Sequence, residues 1–592
     1  MNYLNPIYTE KTQCQDCYKC IRECPVKAIR VENGHAAVIS SLCVLCGHCV
    51  TVCPAGAKRV RDDLGRARQL LKLKDKVIVS LAPSFASEFT GIPPETLVEA
   101  IKSLGFFGVS ETAIGADLVS ARLAEDFALA RGKIASGTES DTKRLYLSSA
   151  CPSAVEYVKR YLPEYERFIT DRASPLLAHS RYLRQIYGED IGVVFVGPCI
   201  AKKREADVWQ TVDAAISFAE LAGWMNDAGI DPGNLRERHD KNMGSGSGFI
   251  PFRASSGSLY GVDGGMIASV KKFSPSVGVH MMSVTGLGAI DAAIRGLKNE
   301  DLEVPLFMEL LACPGGCVNG PLVSLKRPSS LRRIRLLEYA QNAPEESAAL
   351  CDPVPELAGT LPIERPVPLS HSEDELRSAL KQVGKLTIAD ELNCGSCGYD
   401  TCRLFVAAML ENRAEKTMCV SYMRKLAQKK ANGLIKAIPS GVVICDSSMK
   451  IVECNENFAH LMGSDIESMY EARPGMEGAD LEAITGMARF FRDVMTVDGP
   501  DVVEHEFREG KKIFHATVFS IEKGESSCGV IQDVTAPQVQ RDRVIRQTRK
   551  VIDKNLAVVQ KIAFLLGENA AETEATLNSI IESFSAIDED DV

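Results

Sequence analysis

Three kinds of hydrophobic patterning divide this chain. Between about Lys76 and Pro321, short unbroken apolar runs alternate with helical stretches. Val77-Ile78-Val79-Ser80-Leu81, Arg144-Leu145-Tyr146-Leu147 and Val193-Val194-Phe195-Val196-Gly197 are apolar at most positions, as strands buried on both faces of a parallel sheet are. From about Leu434 to Ala536 the pattern changes. Ser440 to Asp446 and Lys450 to Phe458 predict a hairpin leading into a helix. Val502 to Arg508, Lys512 to Ile521 and Cys528 to Val534 predict three more strands. The third pattern is helical: Val544, Val551, Val558 and Leu565 recur every seven residues, with Ile562 between the last two. Gly567 breaks that stripe before a second helix carrying Leu577, Ile580, Ile581 and Phe584. The stripe fits a coiled coil or partner helix, or docking on the preceding domain.

A chain of 592 residues is too long for one core and implies several domains. Hydrophobic content of 45% and charged content of 25% are those of ordinary globular protein. A net charge of −10 gives no reason to expect nucleic-acid binding. No apolar run is long enough for a membrane span, and the N-terminus has neither a signal-peptide pattern nor a twin arginine. Residues 341–370, rich in Pro, Glu and Ala, read as a linker in which Cys351 stands alone.

The twenty cysteines change the picture, because sixteen fall into four groups with tight spacings. In a long chain that pattern indicates thiolate metal ligation in a reducing compartment, hence a cytoplasmic protein, not a disulfide framework. Cys14, Cys17, Cys20 and Cys24-Pro25 repeat as Cys43, Cys46, Cys49 and Cys53-Pro54. This is the bacterial ferredoxin spacing, in which the fourth cysteine of each run serves the other cluster. Cys14, Cys17, Cys20 and Cys53 are therefore expected on one [4Fe–4S] cluster, and Cys43, Cys46, Cys49 and Cys24 on a second. Zinc knuckles pair two short Cys-x-x-Cys arms instead. Cys394, Cys397, Cys402 and Cys419 offer four more ligands, read as a [4Fe–4S] domain with a zinc site as the alternative.

Cys151, Cys199, Cys313 and Cys317 could hold one further cubane. Cys151 and Cys199 each follow a predicted strand closely, and sites in open α/β sheets form at the carboxyl ends of strands. Spacing alone leaves open a redox-inert structural cluster. The three segments Ser148-Ser149-Ala150-Cys151-Pro152, Gly197-Pro198-Cys199-Ile200-Ala201-Lys202-Lys203-Arg204-Glu205 and Glu309 to Gly320 resemble, in order, the cluster-binding signatures of [FeFe]-hydrogenases. Leu81-Ala82-Pro83-Ser84 and the Gly115-Ala116-Asp117-Leu118 region are similar to further stretches of that family. The resemblance implies a cubane on the four cysteines, with Cys317 bridging to a di-iron unit carrying CO, cyanide and a dithiolate. It implies Lys202 as the donor to a cyanide and Glu205 as that lysine's partner.

The departures are specific. Ala150 replaces the family's proton-relay cysteine, and Arg122 and Leu123 stand near its usual glutamates, with Glu125 and Asp126 shortly after. Gly197-Pro198 replaces Met-Pro, and Leu311-Ala312 replaces Met-Ala. Ala150 resembles what sensory members show. The strand order after Leu434, closing on Gln532-Asp533-Val534-Thr535, resembles a PAS domain; Cys445, Cys454 and Cys528 there read as buried core residues.

The resulting expectation is a multidomain α/β and α+β chain. Residues 1–62 form a ferredoxin-like module and 75–340 a catalytic domain with parallel sheets in two lobes. A linker (341–370), a small [4Fe–4S] domain (371–430), a PAS-like domain (431–537) and a helical tail (538–592) follow. The expected function is that of a sensory hydrogenase that slowly converts H2 to two protons and two electrons. The expected partners are a ferredoxin-like carrier, a separate signalling protein and, through the PAS-like domain and tail, a second copy. A bidirectional ferredoxin-linked hydrogenase and a non-enzymatic iron–sulfur sensor lacking the di-iron unit are the alternatives.

Overall fold

The computed structural model describes residues 5–32, 34–136, 143–232, 248–274, 278–324, 327–345, 354–365, 370–509, 512–535, 548–552 and 554–556. Cys351 and, apart from Val551, the apolar positions of the predicted tail lie outside the described residues. The chain forms two compact units, Met1–Cys419 and Val420–Val592.

The first unit begins with β1 (Ile7–Thr9), β2 (Ile29–Glu32), β3 (His35–Val38) and β4 (Lys58–Val60); β1 pairs with β4 and β2 with β3, both antiparallel. Each cysteine run curls into a short helix, Lys19–Arg22 in one repeat and His48–Val52 in the other.

Seven parallel strands follow: β5 (Val77–Leu81), β6 (Gly108–Glu111), β7 (Leu145–Leu147), β8 (Gly192–Val196), β9 (Ala214–Ile216), β10 (His280–Thr285) and β11 (Leu306–Leu311). They form two sheets, ordered β6-β5-β8-β9 and β10-β11-β7. The expected runs are β5, β7 and β8. The sheets bury Val79, Val109, Val194 and Ile216 in one core and Phe127 and Phe307 in another. Lys203, buried, pairs with Asp63 at 3.3 Å and Glu220 at 3.1 Å and fastens the exit of the N-terminal module to this domain.

The predicted linker is held down where it is described. Residues 354–365 have no helix or strand, yet Leu357 and Leu361 are buried. Arg181 donates to the carbonyls of Glu356 and Ala358, and Lys159 to that of Leu361. Two leucines among the prolines turn a tether into a strap. Helices Glu373–Gln382 and Cys402–Leu410 then carry the last cysteine group.

In the second unit, helix Val420–Ala437 runs unbroken through the expected boundary at 430–431. The sheet comprises β12 (Gly441–Asp446), β13 (Ile451–Cys454), β14 (Val502–Glu509), β15 (Lys512–Glu522) and β16 (Ser526–Asp533), ordered β13-β12-β16-β15-β14 and antiparallel throughout. Helices between β13 and β14 cover it, and Val443, Ile451, Phe458, Phe491, Phe514 and Ile531 form the core. Cys445, Cys454 and Cys528 are buried.

Candidate metal centre

Cys151, Cys199, Cys313 and Cys317 all lie just beyond the carboxyl ends of parallel strands. Cys151 follows β7 and caps helix Pro152–Tyr161; Cys199 follows β8 and precedes helix Ala201–Val208. Cys313 follows β11, and Cys317 opens the turn Cys317–Asn319. Both sheets therefore contribute to one site, the placement expected where strand ends meet. Between the last two cysteines, Gly316 has φ +94°, and a Cβ there would lie 2.7 Å from the Gly261 carbonyl oxygen. Only glycine fits that approach.

Burial pushes the Cys199 thiol up to about 11 and the Cys317 thiol up to about 12, and holds Cys313 well above the ordinary thiol range. Neighbouring cysteines push the same way: Cys151 acts on Cys199, Cys199 and Cys151 on Cys317, and all three on Cys313. Four thiols gathered out of water cannot ionise together unaided. A cationic metal core supplies the missing charge, so the donor set fits a cluster. Among the described residues, no three His, Cys, Asp or Glu side chains converge as ligands of a single ion.

Lys202 stands beside this group and lowers the thiol pKa of both Cys199 and Cys317. Its Nζ lies 2.5 Å from Glu205 Oε2 and donates to Ser174 Oγ at 3.1 Å; the Ser174 hydroxyl donates to Glu205 Oε2 at 3.2 Å. The sequence carries no signal for Ser174 beyond the Ser-Pro start of helix Pro175–Tyr187, which its Oγ also caps. Ser84 Oγ, in the Ala-Pro-Ser stretch after β5, is buried without a hydrogen-bond partner among the described residues.

The departures from the family pattern have structural counterparts. Ala150 packs at the edge of the apolar cluster containing Phe127 and Phe307. A Cβ at Gly197 would lie 2.5 Å from the Phe195 ring and 2.8 Å from Ala82 Cβ, so Phe195 fills the space a methionine would need. Glu125 pairs with Arg122 at 2.6 Å and Asp126 with Arg172 at 2.6 Å, so arginines occupy both carboxylates. Glu309, in the third cysteine segment but with no role assigned from the sequence, is buried on β11. It accepts from the Gly264 and Met266 amides at 2.8 and 3.0 Å, and burial pushes its carboxyl up to about 7.

The N-terminal cysteines gather across the repeats. Beside burial and Lys58, the charges acting on Cys20 are those of Cys17, Cys53 and Cys14, and those acting on Cys49 are Cys43, Cys46 and Cys24, with Lys58 opposing. The second of these groups lies toward the central site, because Cys46 also acts on Cys313. At Gly47, φ +75°, a Cβ would meet Pro321 at 2.4 Å and Ile200 at 2.7 Å; this glycine lets the loop approach the central domain. In the last group, Cys397 senses Cys419 and Cys394, and the Cys402 amide donates to Asn393 Oδ1 at 2.8 Å, tying Cys402 to the start of the run.

Similarity to known proteins follows the same divisions. Residues 75–321 match the family model "Iron only hydrogenase large subunit, C-terminal domain", residues 6–55 match a 4Fe-4S dicluster domain, and residues 390–421 match an Fe-S cluster model. The chain is 26% identical over 381 residues to the NADP-reducing hydrogenase subunit HndD of Solidesulfovibrio fructosivorans, covering 53% of this chain and 64% of that one. It is 26% identical over 331 residues to iron hydrogenase 1 of Clostridium pasteurianum, covering 46% and 54%. Nuclear prelamin A recognition factor of Xenopus laevis is 24% identical over 395 residues, covering 52% and 83%. The matched region thus spans less than two thirds of the first two relatives. The chain is an iron-only-hydrogenase-like protein at low identity, with a ferredoxin-like dicluster module before the central domain and an iron–sulfur segment after it. No helix among the described residues is long and apolar enough to cross a membrane.

Proposed function

We propose that this protein is a sensory [FeFe]-hydrogenase, which converts H2 slowly to two protons and two electrons and passes its redox state to a signalling domain. The observation that carries the proposal is the buried Lys202–Glu205–Ser174 triangle beside four cysteines, in a chain with alanine at position 150. A purely structural cluster gives no reason to bury a lysine within electrostatic reach of Cys199 and Cys317. The proposed cofactor is a cubane on Cys151, Cys199, Cys313 and Cys317, joined through Cys317 to a di-iron unit with CO, cyanide and dithiolate ligands. That unit would supply the H–H bond cleavage; the protein would bind it and orient it.

In this reading Glu205 and Ser174 hold Lys202 as a fixed, charged donor for an anionic ligand end, which a compact ammonium suits. Ala150 cannot accept or give a proton. Because positioned acid–base transfer contributes ~10²–10⁴ in rate, its loss supports slow turnover. Electrons would leave through the cluster of Cys43, Cys46, Cys49 and Cys24, then that of Cys14, Cys17, Cys20 and Cys53, to a ferredoxin-like carrier. The cluster of Cys394, Cys397, Cys402 and Cys419 directly precedes helix Val420–Ala437 and the sheet of the second unit. Its five-stranded order with helices between the second and third strands supports the PAS reading, and a PAS domain would pass the signal to a separate kinase or phosphatase, as a dimer in the cytoplasm.

Infrared spectra of protein matured with the di-iron cofactor test the proposal: CO and cyanide bands that respond to H2 are expected. Their absence would leave a non-enzymatic iron–sulfur sensor. Fast H2 evolution would favour a bidirectional ferredoxin-linked enzyme instead.

A further inference from the structure

We infer that the Tyr399 hydroxyl is a hydrogen-bond donor to the iron–sulfur cluster held by Cys24, Cys43, Cys46 and Cys49, reaching it from the separate loop that carries Cys394, Cys397 and Cys402. The inference rests on the iron–sulfur reading of both cysteine groups.

Tyr399 is 4% exposed, and its Oη is covered from solvent without a hydrogen-bond partner among the described residues. A buried phenol normally finds a partner, since a polar group left unpaired away from water is destabilising. The ring is fixed against Phe405, with centroids 5.9 Å apart. The loop is pressed onto the N-terminal module: at Gly398, φ +91°, a Cβ would lie 2.7 Å from Arg22 Cα, two residues before Cys24. Arg413 donates to the Lys27 carbonyl at 3.5 Å on the same seam, and Tyr18 Oη meets Thr417 Oγ1 at 3.3 Å. Arg413, Cys397, Cys24 and Glu411 lie within electrostatic reach of the hydroxyl, and none of them is hydrogen-bonded to it. Cys397 faces the Tyr399 backbone, its thiol lying 3.9 Å from the carbonyl oxygen. Because the loop is pressed against Arg22, two residues before Cys24, we assign the unpartnered hydroxyl to the cluster that includes Cys24. Hydrogen bonds to cluster sulfur favour the more negative, reduced state and raise the reduction potential. Tyr399 is therefore a positioning and tuning residue, and it joins the last cysteine group to the N-terminal group nearest the central site.

The test is a redox titration of the full chain, with all clusters assembled, followed by electron paramagnetic resonance. Tyr399→Phe keeps the ring and removes the donor. The expected result is a negative shift of one N-terminal cluster, with iron content and the potential of the Cys394–Cys419 cluster unchanged. No shift, or a shift confined to the Cys394–Cys419 cluster, would overturn the inference. Site-specific 3-fluorotyrosine at position 399, a stronger donor of nearly the same shape, should move the same N-terminal cluster positive even if the Phe variant does not assemble; an unmoved potential overturns it equally. Failure of the underlying reading looks different: the unaltered protein then lacks the iron and the signals of these two clusters.

Discussion

Lys202 and Glu205 form an ion pair of 2.5 Å, three residues apart on one helix, and both side chains are almost completely buried. Removing one member of a buried pair strands the other and typically costs about 3–5 kcal/mol. Glu205→Gln keeps a hydrogen-bond acceptor for Lys202 but removes the countercharge. The expected outcome is a lower unfolding midpoint, and infrared cyanide bands of the matured protein displaced from their usual positions. Unchanged bands would mean that Glu205 does not orient Lys202 toward the cofactor.

Gly197 and Phe195 exchange volume. Gly197→Met alone, which restores the family's usual residue, places a side chain where the Phe195 ring lies 2.5 Å from the Cβ position. Overpacking of this kind costs about 1–3 kcal/mol. Phe195→Leu combined with Gly197→Met should recover much of that loss, a coupling that denaturant unfolding of the two single variants and the double variant measures. Additive effects would mean that the ring does not occupy the methionine space.

Ala150→Cys should raise H2 turnover by about tenfold, below the ~10²–10⁴ of a complete relay. The ceiling follows from Glu125 and Asp126, which arginines occupy. Hydrogen evolution with a chemical reductant checks this. An unchanged rate would place the limit at the missing carboxylates.

These departures show how far the sequence was legible. The four cysteine groups are legible because spacing marks them, and β5 and β8 are legible because central parallel strands are apolar at most positions. β10 was not, since its burial alternates at the sheet edge and its six residues include Ser283 and Thr285. Ser174 and Phe195 were not, because each acts on a residue distant in sequence or through volume, not through a motif. The strap at Leu357 and Leu361 reads as a linker until its burial and its bonds from Arg181 and Lys159 are seen.

The Glu309 carboxyl gives a pH dependence with a definite sign. Its ordinary value of 4.5 is pushed up to about 7 by burial. Between those values the folded protein holds a proton that the unfolded chain releases, so this contribution is fully present below about 4.5 and lost as pH rises through about 7. At 1.36 kcal/mol per pKa unit, the loss is on the order of 3 kcal/mol. Glu111 and Asp117, each pushed up to about 6 by burial, act with the same sign. Unfolding midpoints of the Glu309→Gln variant should therefore fall less steeply than those of the unaltered protein from about pH 5 to about pH 8. Parallel slopes would show that Glu309 ionises normally.

Asn455 ties the second unit's sheet to the helix that follows Cys419. Its Nδ2 shares two hydrogens among the carbonyls of Ile435, Ile438 and Ser440, at 3.0, 3.3 and 2.8 Å, while its Oδ1 accepts from the Val442 and Phe458 amides at 2.8 and 2.9 Å. Asn457 adds a second bond to Ile438 at 2.8 Å. One side chain thus holds the end of helix Val420–Ala437, the first strand and the helix after the hairpin in register. Asn455→Asp keeps the acceptor for both amides and removes this side chain's own donors to the helix end, leaving the single bond from Asn457 to Ile438. If the helix carries the redox state of the last cluster into the sheet, hydrogen exchange of β12 and β13 should differ between reduced and oxidised protein, and this variant should abolish the difference while leaving the cluster's potential unchanged. A redox-dependent difference that survives in Asn455→Asp would place the transmission elsewhere.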